Sequence, residues 1–153
     1  MKFKDQFINA KFLERPNRFI TIIDINGEQH RSHLADPGRL KELLFPGADL
    51  LVRKVENNPT RKTKFSTVMV NHAGQLISLV STLPNQFVQE ALMNKELPML
   101  NKFSLVRPEI TVGRHRFDFL LTDENGEDFY LEVKSVTFVE NQVAQFPDAV
   151  TLR

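Results

Sequence analysis

The sequence predicts an α+β protein: a small β-barrel in the first half, followed by an α-β-β-β unit. Three observations carry that expectation. Residues 1–83 hold short β-branched segments separated by Asn-Gly, Asp-Pro-Gly and His-Ala-Gly turns. A segment with helical apolar spacing then follows Leu83-Pro84-Asn85. Beyond it come three segments with strand-like alternation.

Taken in order, residues 19–25 are β-branched and end at Asn26-Gly27, a two-residue hairpin signal, so 28–34 reads as the return strand. Asp36-Pro37-Gly38 is a turn. Residues 39–44 read as one short helical stretch, stopped by Phe45-Pro46-Gly47. Strands are expected at 49–54 and 65–71, with a loop containing Pro59 between them, and again at 76–81 after His72-Ala73-Gly74. Short, closely spaced strands with one small helix predict an OB-like barrel.

Leu83-Pro84-Asn85 marks the boundary between domains 1–83 and 84–153. Asn85 is expected to cap a helix that carries Phe87, Val88, Ala91 and Leu92 on one face and stops before Pro98. Strands follow at 103–112, 114–122 and 129–139, and 144–153 should begin a further helix or loop. A sheet of this kind is normally completed by one more helix and strand. The chain is therefore expected to lack part of that domain or to finish it with a partner, a second copy forming a homodimer being the candidate.

The 153 residues suit one domain or two small ones, and 41% hydrophobic with 25% charged residues fits a folded soluble protein. No apolar run reaches about 18 residues, which argues against a membrane span. The start, MKFKDQF, lacks an apolar signal core, and the absence of cysteine excludes disulfides and thiolate metal sites. A cytoplasmic location is expected. The net charge of +1 hides an asymmetry. Residues 1–83 carry 13 Lys/Arg against 8 Asp/Glu, about +5, and residues 84–153 carry 7 against 11, about −4. A basic half beside an acidic half suits phosphate contact next to cation binding.

The hairpin at 123–128 decides which charges share a face. A two-residue type I′ turn on Asn125-Gly126 would set Asp118 opposite Val133. A three-residue loop, Glu124-Asn125-Gly126 with a left-handed Gly126, pairs Asp123 with Glu127. In that register Phe117, Phe119, Leu121, Phe129, Leu131 and Val133 share one face. Arg116, Asp118, Tyr130, Glu132 and Lys134 share the other. Burying six large apolar groups, at about 1.5–3 kcal/mol each, outweighs a turn preference, so the three-residue loop is expected.

Asp118 and Glu132 then lie across a strand pair, where like charges repel unless a cation lies between them. Mg²⁺ or Mn²⁺ suits such oxygen ligands, with a backbone carbonyl near Val133 as a third donor. Lys134 could orient water or stabilise charge on a scissile phosphate. Glu90, on the preceding helix, and Glu109 are candidate additional acids. The plainer reading of Arg116, Asp118, Glu132 and Lys134 is a surface salt-bridge lattice.

Asp118…Glu132-Val133-Lys134 after a helix and among strands resembles the restriction-endonuclease-like Asp…(Asp/Glu)-x-Lys nucleases. More narrowly, the chain resembles the sugar fermentation stimulation protein family. The matching segments are His33-Leu34-Ala35-Asp36-Pro37-Gly38-Arg39, Asn58-Pro59-Thr60-Arg61-Lys62, Leu83-Pro84-Asn85 and Gly113 through Leu120. Glu132 through Thr137 and Phe146-Pro147-Asp148-Ala149-Val150-Thr151-Leu152-Arg153 complete the match. The resemblance implies an OB-like N-terminal domain, a nuclease-like C-terminal domain, DNA binding, and members that continue past the last segment. A regulatory link to sugar metabolism is attached to the family name, and the alternative to a nuclease is a non-catalytic DNA-binding module of that kind.

Arg61, Lys62 and Lys64 cluster beside Phe65. Arg31, His33, Arg39 and Lys41 lie near the other turn-rich segment, and Arg53-Lys54 adds two charges. These residues, with Arg116, are the candidate DNA contacts, Phe65 being either a stacking platform or barrel core. The four histidines show no metal spacing, and GxxxxGK[ST], GxGxxG and HExxH are absent.

Overall fold

The computed structural model describes residues 6–56, 61–137, 139–140 and 143–145. The expected elements and motifs at 58–60 and 146–153 lie outside them. Internal contacts gather Thr82–Ser135 into one compact unit, and 6–81 with 136–145 into another.

The barrel unit contains β1 (Phe7–Asn17), β2 (Ile20–Ile25), β3 (Glu28–Leu34), β4 (Asp49–Lys54), β5 (Phe65–His72) and β6 (Gln75–Ser78). Neighbours run β3-β2-β1-β4-β5-β6, and a parallel pairing of β3 with β5 closes five strands into an OB-like barrel. Asn26 and Gly27 adopt φ of 54° and 88° between the paired Ile25 and Glu28, the geometry a type I′ hairpin needs. The core is formed by Ala10, Phe12, Ile23, Leu34, Leu40, Leu43, Leu44, Ala48, Leu50, Val52, Val70 and Leu79.

Two elements differ from expectation. Strand β1 has no counterpart in the sequence reading. Its Lys11, Glu14, Arg15 and Pro16 obscure an inward pair, Ala10 and Phe12, and its register against β2 shifts twice. The expected helix at 39–44 is a single turn, with Leu44 N–H bonded to Leu40 O at 2.8 Å and Leu40 at φ 50°. Six residues between two Pro-Gly turns are too few to propagate a helix, so Leu40, Leu43 and Leu44 pack into the barrel core from a turn instead.

A buried hydroxyl cluster spans the closing seam. Thr67 Oγ1 lies 2.8 Å from Thr21 Oγ1 and 2.9 Å from Ser32 Oγ. All three residues are at most 1% exposed. On the rim, Arg15 donates to the carbonyls of Arg18, Asp36, Gly38 and Arg39, while Asp36 Oδ1 accepts the Gly38 N–H at 2.7 Å.

The second unit holds α1 (Leu83–Met93), a 3₁₀ turn at Pro98–Leu100, β7 (Ser104–Val112), β8 (His115–Thr122) and β9 (Asp128–Leu131) in an antiparallel sheet ordered β7-β8-β9. A two-stranded ribbon, β10 (Val139–Glu140) with β11 (Val143–Ala144), follows. Helix α1 starts earlier than expected: Thr82 is its N-cap without a side-chain bond, and Pro84 occupies the first turn, where its missing N–H is harmless. Asn85 is therefore inside the helix. Ala91 and Leu92 are buried and Val88 packs beside them, whereas Phe87 is 53% exposed, just off the i, i+3, i+4 face.

The hairpin takes the three-residue form. Asp123 N–H bonds to Glu127 O, Gly126 N–H bonds to Asp123 O, and Gly126 has φ 80°. Phe119 pairs with Leu131 and Leu121 with Phe129. Phe119, Leu121, Leu131 and Val133 join Leu92 in one cluster. Phe117 is only half-buried and stays outside that cluster, its ring lying 5.0 Å from that of Tyr130. Phe129 is partly exposed against Phe103, with centroids 4.5 Å apart. The third strand was expected to reach 139 but ends at Leu131. An antiparallel continuation would give the Val133 N–H to a β8 carbonyl; Asp118 Oδ2 takes it instead, at 2.7 Å.

Candidate metal and nucleic-acid sites

The Asp118 carboxylate sits on β8 with both oxygens engaged. Asn85 Nδ2 donates to Oδ1 at 2.7 Å, and Val133 N–H donates to Oδ2. The second bond ties Asp118 to the Glu132-Val133-Lys134 segment. Lys134 Nζ is paired with Glu132 Oε1, with both side chains exposed to solvent. That hydrogen bond holds the Lys134 ammonium above the usual lysine range; the charges of Glu132 and Asp118 act the same way and desolvation opposes them.

The additional acids differ in their placement. Glu109 lies between Pro108 and Ile110, which pair with Phe119 and Phe117, so it falls opposite Asp118. Its φ is 51°, and its carboxylate pairs with Arg116 Nη2 at 3.0 Å. Glu90 lines a shallow groove on α1 with Gln86, Gln89, Met93 and Asn94. Among the described residues, no three His, Asp or Glu side chains converge as a ready-made metal cage. The helix residue that meets Asp118 is Asn85, which the sequence reading treated as a cap. Pro84 was the available signal, since proline in the first turn pushes Asn85 past the capping position.

In the barrel, part of the basic set comes together. Ser66 on β5 pairs with His33 on β3 and with Arg53 on β4, so the three share one row. The interior is occupied by their sequence neighbours Ser32, Leu34, Val52 and Thr67, so the row lies on the other face, where His33 and Arg53 are half-buried and Ser66 is itself buried. Arg61 joins it, Nη2 donating to Ser66 Oγ at 2.7 Å and Nε to Thr63 Oγ1 at 3.3 Å. Burial lowers the His33 pKa from its ordinary value, and the nearby Arg61 charge lowers it further. Arg31, Lys62 and Lys64 are exposed, and Arg39 is exposed on the turn held by Arg15. Phe65 packs against the barrel core, with the His30 ring 5.0 Å away. Ser66 and Arg15, which tie these basic segments together, carried no sequence signal of their own.

Two family models match the chain: the SfsA N-terminal OB domain over residues 13–79, and the sugar fermentation stimulation protein RE domain over residues 82–153. Sugar fermentation stimulation protein homologs from Clostridium botulinum (strain Langeland) and Clostridium tetani are 42% and 40% identical over the whole chain. The chain spans 66% of the length of each. A solved structure of Pyrococcus furiosus SfsA in complex with Ca²⁺ superposes with a TM-score of 0.82 at 24% identity, covering 99% of this chain and 64% of that one. No helix among the described residues is long and apolar enough to cross a membrane. With an OB-like barrel, an RE-type unit and matches at this identity over the whole of the chain, the chain belongs to the sugar fermentation stimulation protein family.

Proposed function

We propose that the chain is a DNA-binding protein with a divalent-metal phosphodiesterase site of the nuclease type, acting in the cytoplasm. The observation that carries the reading is the Asp118–Val133 hydrogen bond, which ties the β8 carboxylate to the segment holding Glu132 and Lys134. Two hard carboxylates and nearby backbone carbonyls match the ligand chemistry of Mg²⁺ or Mn²⁺. A relative of the same fold is described in complex with Ca²⁺, an ion of the same ligand preference. Asp118 and Glu132 would hold the metal, with Glu109 and Glu90 as further acids. The metal supplies Lewis-acid polarisation of a phosphoryl oxygen. Lys134, paired with Glu132 and influenced by the Asp118 charge, would supply an ammonium to donate to a phosphate as negative charge builds on it. His33, Arg53 and Arg61 on the Ser66 row, with Arg31, Arg39, Lys62, Lys64 and Arg116, contact backbone phosphates.

The test is plasmid nicking in Mg²⁺ or Mn²⁺ with the wild type, Asp118→Ala and Lys134→Ala. Nicking by the wild type alone is expected. Equal nicking by both variants would refute the assignment. DNA binding is measured separately: log affinity should fall with log salt, and Arg61→Ala should reduce the slope by about one. Phosphate-driven binding without nicking in either metal leaves the second reading, a non-catalytic DNA-binding module with a regulatory role.

A further inference from the structure

We propose that Asn85 is a positioning residue for the metal site, holding the Asp118 carboxylate in the orientation that leaves it free to bind a divalent cation. This rests on the metal-site reading above. A carboxylate has about four lone-pair positions on its two oxygens. Asn85 Nδ2 takes one on Oδ1 and Val133 N–H takes one on Oδ2, both at 2.7 Å. The two donors come from different elements, so they fix the carboxylate plane and leave one position per oxygen. Neither donor carries a charge, so neither competes electrostatically with a cation as a lysine or arginine would.

The local sequence is arranged at some expense to the helix. Thr82 makes no side-chain cap, no acidic residue stands in the first turn, and the nearby asparagine, a favoured capping type, turns to β8 instead. Pro84 makes this workable by removing one of the donors a cap would satisfy. The partly buried contact links residues 33 apart in sequence, so it also anchors the start of α1 to the sheet. Anchoring and positioning are separable, because only positioning acts on metal affinity in the folded protein.

The experiment measures Mn²⁺ dissociation constants from the electron paramagnetic resonance signal of free Mn²⁺, using the 153-residue chain. The proteins are wild type, Asn85→Leu, Asn85→Ala, Asp118→Ala and the Asn85→Leu/Asp118→Ala double variant. Leucine keeps the shape of asparagine without its donor, so at least one Asn85 variant remains folded, as circular dichroism melts will verify. Loss of a ligand-orienting partner typically weakens metal affinity roughly 10–100-fold, and that is expected for Asn85→Leu. Adding it to Asp118→Ala should change nothing further. A lowered melting temperature with unchanged Mn²⁺ affinity would overturn the inference while leaving the metal reading intact. Wild type that does not bind Mn²⁺, or Asp118→Ala that binds it equally well, would overturn both.

Discussion

Thr67→Val tests whether the barrel depends on its buried hydroxyls. Valine matches threonine in shape, so the substitution opens no cavity. It removes the contacts of 2.8 Å to Thr21 Oγ1 and 2.9 Å to Ser32 Oγ. Thr21 Oγ1 retains only a long bond to Ser32 O, at 3.4 Å, and the Ser32 hydroxyl is stranded where no water reaches it. Two lost hydrogen bonds with one orphaned hydroxyl correspond to about 1–3 kcal/mol. At roughly 4–8 °C per kcal/mol for a unit of this size, the melting temperature should fall by about 4–24 °C. Removing every member reverses the logic: Thr21→Val/Ser32→Ala/Thr67→Val leaves nothing unpaired and should regain much of the loss, less a small cavity at Ser32. Thermal melts followed by far-ultraviolet circular dichroism, with urea titrations as a check, compare the variants. A triple variant whose destabilisation is the sum of three single ones would refute the reasoning. Because Thr67 follows Ser66 on β5, the single variant should also loosen the His33–Ser66–Arg53 row and weaken DNA binding at constant salt.

Three further outcomes follow from the barrel. The folded-state pKa of His33 lies below its unfolded value, so the unfolded chain takes up this proton first. Stability from this residue is therefore present above the unfolded pKa near 6.5 and is lost as pH falls toward the lower folded value; His33→Gln should flatten urea-measured stability across that window. A wild-type profile matching that of His33→Gln would count against the buried setting. Arg15→Met deletes four donations to carbonyls and should destabilise the chain by more than about 2 kcal/mol. Gly38→Ala should disturb the same turn, since its Cβ would lie 2.9 Å from Asp36 Oδ1; unchanged urea midpoints in both variants would show that the turn does not depend on the clamp.

Much of this architecture was legible because it rests on local chemistry. The Asn26-Gly27 hairpin, the 49–54 strand and the register around Gly126 all follow from turn residues and alternation. What escaped was set by distant partners. Strand β1 is charged along its exposed side and becomes a strand through β2 and β4, which flank it. The short segment at 39–44 reads as helical between its two turns, but six residues are too few to propagate a helix, and its leucines are drawn into the barrel core instead. The site was half legible. Asp118, Glu132 and Lys134 stand out as charges in apolar sequence, but Asn85 looked like a cap because its partner lies 33 residues away. Ser66 resembles any small strand residue until β3 and β4 bring His33 and Arg53 to either side of it.

Strand β7 forms one border of the sheet in the second unit, and a border strand invites the next molecule to add itself. Within four residues β7 carries an irregular register at Val106, a proline at 108 and a left-handed Glu109. An incoming strand needs donors and acceptors at even spacing, and this stretch interrupts that rhythm three times. A second copy of the chain would have to dock through side chains or another surface rather than lengthen the sheet here. Along β7, at least, the sheet can present a border at high concentration without templating fibres from it.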